Sequence, residues 1–370
     1  MPYQQNVMLV AFRCDASVEI GGGHVARCLT LARELIARGA SILFLCRNPP
    51  PAVADGIRAT PGIEFVPLNE NTSPCTPDPG LPLAHNQWLR VSQAQDALDT
   101  GEVMMRLGKP DWLVVDHYAL DARWEKSVRP FFGKILVIDD LDDRPHEADL
   151  LLDQNLFLDM EQRYSEHAPA HCRLLLGPHY ALLRPEFAEA RSTLRARSGK
   201  LERLLVTFGS YDPMNLTLDA LQGIEDADLH ELKKVDVVVG SETPHLESIT
   251  NYCKNRPGYQ IHVQTSNMAA LMAGADLAIG ASGATTWERC CLGLPSIVFA
   301  VADNQLPIAA GCDKAGALVY LGRTPTAVRN PISSSLRQLS KNSEKLGEMS
   351  KIGISLVDGL GAQRVCNAMV

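Results

Sequence analysis

The chain has 370 residues, of which 46% are apolar and 21% charged. At roughly 150 residues per domain this composition suits two folded domains and excludes a peptide, a fibrous repeat and wholesale disorder. Lys and Arg number 35 against 43 Asp and Glu, a formal net charge of −8 with no dense basic run, so nucleic acid is not an expected partner.

No apolar stretch approaches the roughly 20 residues of a membrane span, and the N-terminal MPYQQNVMLVAFRCD lacks a basic, leader-like start. A cytoplasmic protein with no membrane partner is the expectation; the oligomeric state is open, with a monomer expected. Ten cysteines contain no CxxC pair, and neither HExxH nor a paired Cys/His spacing occurs. Packed thiols in a reducing compartment are therefore expected, with no metal and no cofactor.

In chain order, short β-branched and aliphatic runs at 7–13, 41–47, 112–118 and 134–140 read as buried parallel strands. Between the first two, His24–Gly39 carries Val25, Leu29, Leu31, Leu35 and Ile36 on one stripe, so strand, loop, helix and strand form a βαβ unit. Residues 48–86 are rich in proline, and the stretch 71–82 reads as an exposed loop. Arg184–Lys200 is polar, basic and poor in strand formers, which makes it the connection between a domain at 1–195 and another at 196–370. The same grammar restarts at LERLLVTFG (201–209) and continues through KVDVVVG, YQIHVQ, ADLAIGA, PSIVFA and ALVYLG, with a helix at Ala284–Leu294. The expected class is α/β: two Rossmann-like, doubly wound parallel-sheet domains facing across a cleft, with function at the carboxyl ends of the strands.

Two turns after strands stand out. The first runs from Asp15 to Arg27 and contains Gly21, Gly22 and Gly23 ahead of His24. Glycines permit positive φ and close approach of a ligand, and a helix start offers free N–H groups to an anion. Histidine exchanges protons near neutral pH, so His24 is the leading general base. Asp15 either orients and tunes this site or caps the loop, and Arg27 closes the constellation as a substrate-binding residue. In the second turn Ser282, Gly283 and Thr285 open a helix with small side chains suited to a diphosphate. Glu288 lies one turn farther on, where a carboxylate can accept from both ribose hydroxyls or simply serve as a first-turn charge. Asn304 and Gln305 follow the next strand.

The second constellation resembles the nucleotide-sugar half of GT-B glycosyltransferases, including MurG-type enzymes. In order, IGGGHVARCLTLA, VVDHY, VIDDL, LLDQN, LLGPHYALLRPEF and SGATTWERCCLGLPSIV are similar to the PseG family. That resemblance implies a GT-B fold and hydrolysis of UDP-2,4-diacetamido-2,4,6-trideoxy-β-L-altropyranose to UDP and the free sugar, a step of pseudaminic acid synthesis. It implies that His24 is the base for water, Tyr118 a sugar contact, Glu288 the ribose acceptor, and Asn304 and Gln305 neighbours of the diphosphate or sugar. A GT-B transferase passing the sugar to an acceptor, or a UDP-sugar-binding module without turnover, are the alternatives. Phe208-Gly209-Ser210-Tyr211-Asp212 departs from the family's FGGSD, and the long segment 48–100 is unusual, which bears on substrate choice. Asp116 and His117 fit a structural strand end as well as a functional role, and Tyr180 and Arg184 fit packing and ion pairing as well as a place in the interdomain floor. The glycosylation triplets at Asn71 and Asn215 are discounted for want of a leader.

Overall fold

The computed structural model describes residues 7–17, 19–68, 83–194, 197, 199–324 and 328–370. Cys75, the Asn71 triplet, all of the expected loop at 71–82 and the boundary at 195–196 lie outside these residues. Contacts divide the chain into two compact units, one of Met1–Asn155, Asp159–Leu182 and Gly361–Val370, the other of Leu156–Leu158 and Leu183–Leu360.

Among the described residues the first unit holds β1 (Leu9–Cys14), β2 (Ser41–Arg47), β3 (Ile63–Leu68), β4 (Trp112–Asp116), β5 (Lys134–Ile138), β6 (Leu150–Asp153) and β7 (Arg173–Leu176). They form one sheet in the order β3-β2-β1-β4-β5-β6-β7, every pairing parallel. β4 is buried at every position, as a strand covered by helices on both faces must be, which explains its unbroken apolar run up to Asp116. The order reverses between β1 and β4, so their carboxyl ends open the crevice in which sheets of this kind bind ligands. His24 follows β1 and Tyr118 follows β4, which places both at this reversal.

The second unit repeats the plan with β8 (Arg203–Thr207), β9 (Lys234–Val239), β10 (Tyr259–Val263), β11 (Leu277–Ala281), β12 (Ser296–Ala300) and β13 (Val319–Arg323), ordered β10-β9-β8-β11-β12-β13. Its reversal lies between β8 and β11, and the turn beginning at Ser282 follows β11 directly. Gly280 is required here, because a Cβ would stand 1.9 Å from the Thr207 carbonyl oxygen. The two all-parallel sheets bear out the expected α/β class. Strands β3, β6 and β7 go beyond those read from the sequence. β3 is an edge strand carrying Pro67 and is mostly half-exposed, and the other two have only four residues each.

Segment 48–100 contributes a helix at Pro51–Arg58, the edge strand β3, a 3₁₀ turn at Asn86–Trp88 and the start of a helix at Gln93–Leu107. Much of it is therefore ordinary doubly wound structure. The connection read at Arg184–Lys200 contains a helix, Pro185–Ser192, whose one buried residue is Phe187, which is why it shows no apolar stripe.

The division differs from a single cut near 195: the units part at Leu182 and Leu183, Leu156–Leu158 joins the second, and the last helix, Gly361–Met369, returns to the first. Ala362, Val365, Cys366 and Met369 are buried in the same cluster as Leu31 and Leu35 of helix Gly23–Ala37. The Trp112 indole N–H donates to the Met369 carbonyl at 2.9 Å. Val365 is 0% exposed. Val365→Ala should cost roughly 2 kcal/mol of stability in denaturant titration, in line with truncation of a closely packed apolar side chain. A loss below a few tenths of a kcal/mol would show that the helix does not hold this core.

Candidate functional site

Helix Gly23–Ala37 begins directly after the glycine turn, and no side chain among the described residues caps it. Of the three glycines only Gly21 needs positive φ, at 75°, where its N–H donates to the Ser17 carbonyl at 2.8 Å. A Cβ added at Gly21, Gly22 or Gly23 would meet nothing within 4 Å, so the loop borders open space.

One turn of helix carries His24 and Arg27 to the same carboxylate at the end of β4. His24 Nδ1 lies 2.6 Å from Asp116 Oδ1, while Arg27 donates to Asp116 through Nε at 2.6 Å and Nη2 at 2.7 Å. An ionised carboxylate only accepts, so the Nδ1 of a neutral His24 carries the proton and Nε2 is left with its lone pair. Asp116 is fully buried; burial raises its pKa, but Arg27 and then His24 outweigh that and hold the carboxyl well below the usual carboxylate range. The arrangement is an imidazole oriented through Nδ1, with a charged support behind it.

Arg27 continues outward through Nη1, 3.2 Å from Asp140 Oδ2, which also accepts from Asn155 Nδ2 at 3.0 Å. The other Asp140 oxygen accepts from the Tyr118 hydroxyl. Tyr118 is buried, with its ring edge-on to His24 at 4.6 Å between centroids. Its O–H is therefore committed to Asp140, leaving the ring and an oxygen lone pair for any sugar. Trp88 stacks on Tyr118 at 5.5 Å, and His85 lies 4.3 Å from Trp88 and 5.4 Å from Tyr118. Both are half-buried, so an aromatic wall stands beside the base.

Asp15 faces inward. It accepts from Arg13 Nη1 at 2.5 Å, Arg13 Nη2 at 2.9 Å and the Arg47 backbone N–H at 2.7 Å, and His117 Nε2 lies 3.2 Å away. These contacts tie the end of β1 to that of β2. Asp96 balances the same group by accepting from Arg13, Arg47 and the Trp124 indole N–H. Among the described residues one trio, Cys14, Cys28 and Asp116, places possible metal-ligating atoms within 4.8 Å of each other. Burial pushes both thiols up, which keeps them protonated, while Arg27 and His24 occupy the carboxylate. This chemistry is that of thiols packed beneath an ion pair.

In the second unit, Ser282, Gly283, Thr285, Glu288 and Gln305 lie at the carboxyl ends of β11 and β12. The Ser282 N–H donates to the Phe299 carbonyl at 2.9 Å, and the Ser282 hydroxyl is buried without a hydrogen-bond partner among the described residues. Gln305 Oε1 accepts from the Val301 N–H at 3.1 Å, while its Nε2 is 3.5 Å from the position a Gly283 Cβ would occupy. The amide group thus abuts the glycine turn. Asn304 is exposed on the short turn Asp303–Gln305. Glu288 Oε1 lies 3.5 Å from Arg184 Nη2, and burial pushes its carboxyl up to about 7. In the departing turn, Asp212 accepts from the N–H groups of Leu216 and Thr217, both at 2.9 Å, capping helix Leu216–Ala227, and Tyr211 is exposed.

The sequence alone left Asp116 divided between two roles and gave none to Asp140, Asn155, His85 or Trp88. The available signal for Asp116, Asp140 and Asn155 was their position at the end of β4 and just past the ends of β5 and β6, within VVDHY, VIDDL and LLDQN. His85 and Trp88 lie far from any strand end and carry no comparable mark.

No helix among the described residues is long and apolar enough to cross a membrane. Residues 204–357 match the glycosyltransferase family 28 C-terminal domain. The chain is 29% identical over 199 residues to the spore coat polysaccharide biosynthesis protein SpsG of Bacillus subtilis, covering 54% of this chain and 58% of that protein, so it matches little more than half of that relative. It is 25% identical over 266 residues to the UDP-2,4-diacetamido-2,4,6-trideoxy-beta-L-altropyranose hydrolase of Campylobacter jejuni, covering 72% of this chain and 81% of that one. The crystal structure of Acinetobacter baumannii MurG superposes with a TM-score of 0.63 at 16% identity, covering 98% of this chain and 99% of MurG. These matches bear out the resemblance read from the motifs: the chain is similar to the Campylobacter jejuni hydrolase, its residues 204–357 match the glycosyltransferase family 28 C-terminal domain, and its fold is the GT-B fold of MurG.

Proposed function

We propose that this protein hydrolyses a UDP-linked 2,4-diacetamido-2,4,6-trideoxyhexose, with UDP-2,4-diacetamido-2,4,6-trideoxy-β-L-altropyranose as its substrate, and so acts in pseudaminic acid synthesis. The observation that carries the reading is the 2.6 Å contact between His24 Nδ1 and Asp116, which leaves Nε2 free to take a proton from water. The relative named as that hydrolase supports the choice of substrate. The half-buried faces of Trp88 and His85 beside His24 suit a sugar bearing a C6 methyl and two acetamido methyls, since such a sugar has apolar patches to cover.

In this mechanism the second unit binds UDP through the Ser282–Thr285 turn, with Glu288 on the ribose and Asn304 and Gln305 toward the diphosphate or sugar. The first unit supplies His24, with Gly21 and Gly23 bordering the substrate, Tyr118 against the sugar, and Arg27 and Asp15 as supports. Water oxygen bonds to the anomeric carbon as the bond from that carbon to the β-phosphate oxygen breaks. The electron pair leaves with UDP, the water proton passes to His24 Nε2, and the anomeric centre inverts. UDP is an acidic leaving group, so the demand falls on the base and on stabilising the diphosphate charge.

A transferase is the second reading, favoured by the family 28 match at 204–357. Incubation with the UDP-sugar and no acceptor separates the readings: hydrolysis gives UDP and free sugar, whereas acceptor dependence would replace this proposal with transfer and binding without products would leave a module. In the same assay His24→Ala should lower kcat about 10²–10⁴-fold, and Asp116→Asn should lower it about as far by losing the tautomer lock, with UDP affinity held within a few-fold in both. Near-normal turnover by a folded His24→Ala protein would remove the histidine from the mechanism.

Ribose hydroxyls donate, so they select the ionised Glu288. Because burial raises this carboxyl to about 7 from the ordinary 4.5, its proton stabilises the folded state fully below about pH 4.5, and that contribution is lost as pH rises through about 7. UDP affinity should therefore increase between pH 6 and 8 by calorimetry. Glu288→Gln should bind UDP about 10- to 100-fold more weakly at pH 8 and lose the part of the trend that the carboxylate causes. Equal affinities of the two proteins across that range would return Glu288 to a first-turn charge.

A further inference from the structure

Arg289 follows Glu288 on helix Thr285–Cys291, yet its side chain turns back beneath the Ser282–Thr285 turn and is 1% exposed. Nη2 donates to the Ala281 carbonyl at 2.9 Å and to Thr286 Oγ1 at 3.0 Å, and Nη1 lies 3.4 Å from Thr285 Oγ1. Among the described residues Nε has no hydrogen-bond partner and no carboxylate reaches ion-pair distance. The contrast with Arg13 and Arg144 is direct, since each of those buried guanidiniums touches at least one carboxylate. Burial pushes the Arg289 guanidinium down to about 10, which still leaves it charged at neutral pH. Glu288 acts on it only through space, and a buried cation with no carboxylate in contact is costly. The fully buried Ser282 hydroxyl, at the start of the same turn, also has no hydrogen-bond partner among the described residues.

A guanidinium only donates, so Thr285 Oγ1 accepts from it and keeps its own proton to give away. Thr285 is half-buried, so its hydroxyl lies between the buried guanidinium and the surface of the turn. Resting on the reading that this turn holds UDP, we infer that Arg289 is a positioning residue for the diphosphate: acting through the Thr285 hydroxyl, its buried charge seats the phosphates and stabilises the charge that develops on departing UDP. A preorganised cation in a dry setting is worth more to that charge than a surface lysine would be.

Calorimetry with UDP and with uridine, on the unaltered protein and on Arg289→Met, Arg289→Lys and Thr285→Val, tests this. UDP affinity should fall about 10- to 100-fold in Arg289→Met and several-fold in Thr285→Val, with Arg289→Lys between, while uridine affinity stays within two-fold. With the UDP-sugar, kcat should fall in the same order. Should Arg289→Met fail to fold, the lysine and Thr285→Val variants decide the matter. UDP affinity unchanged in both, or uridine weakened as much as UDP, would overturn this inference alone. No UDP binding by the unaltered protein would overturn the nucleotide reading and the inference with it.

Discussion

The Asp116 carboxylate is the contact on which the first unit's site depends. It is fully buried at the end of a fully buried strand, a position an anion can hold only with cationic partners in good geometry. Arg27 meets it with two donors and His24 with a third, all from one turn of one helix. The same three bonds fix the helix against the sheet, choose the imidazole tautomer and direct Arg27 outward to Asp140, which in turn takes the Tyr118 hydroxyl and the Asn155 amide. Taking Asp116 away would leave a buried guanidinium without its counter-charge, so the support of the base and the stability of the strand end are one property.

The two units treat buried charge differently. In the first, Arg13, Arg27, Arg144 and Arg163 each meet carboxylates, and a second tier of Asp15 and Asp96 braces the ends of β1 and β2 beneath the glycine turn. The His24 imidazole is therefore carried on a closed ionic framework, which suits the proton transfer proposed for it. In the second, Arg289 lies under the small-residue turn with hydroxyl and carbonyl partners alone, and burial raises the Glu288 carboxyl despite Arg184 nearby. These groups are held away from their preferred solvation in a region built of Ser, Gly, Ala and Thr, a setting in which a ligand's phosphates and hydroxyls supply favourable partners.

Much of this was legible in the sequence because the chemistry sits at strand ends. The runs ending near Cys14, Asp116 and Ala281 marked where chain direction changes, and His24, Ser282 and Glu288 followed at once. What was hidden needed three dimensions. Asp116 is 92 residues from His24, and nothing in VVDHY distinguishes a carboxylate that grips an imidazole from one that ends a strand. Asp15 carried the same ambiguity, and its inward face depends on Arg13, two residues earlier at the end of β1, forking onto it. Trp88 and His85 sit in a segment read as an insertion, with no periodicity to place them beside Tyr118. The final helix was the hardest to foresee, since a chain that returns to its first unit leaves no mark on local composition.

The central claim is that His24, locked by Asp116, activates water against the anomeric carbon of a UDP-sugar. Turnover in ¹⁸O-enriched water, followed by mass spectrometry of both products at short times, tests it most directly. The account predicts that the heavy oxygen enters the released sugar and that UDP keeps its ordinary mass. UDP carrying ¹⁸O would mean attack at phosphorus, which would contradict the placing of water between His24 and carbon.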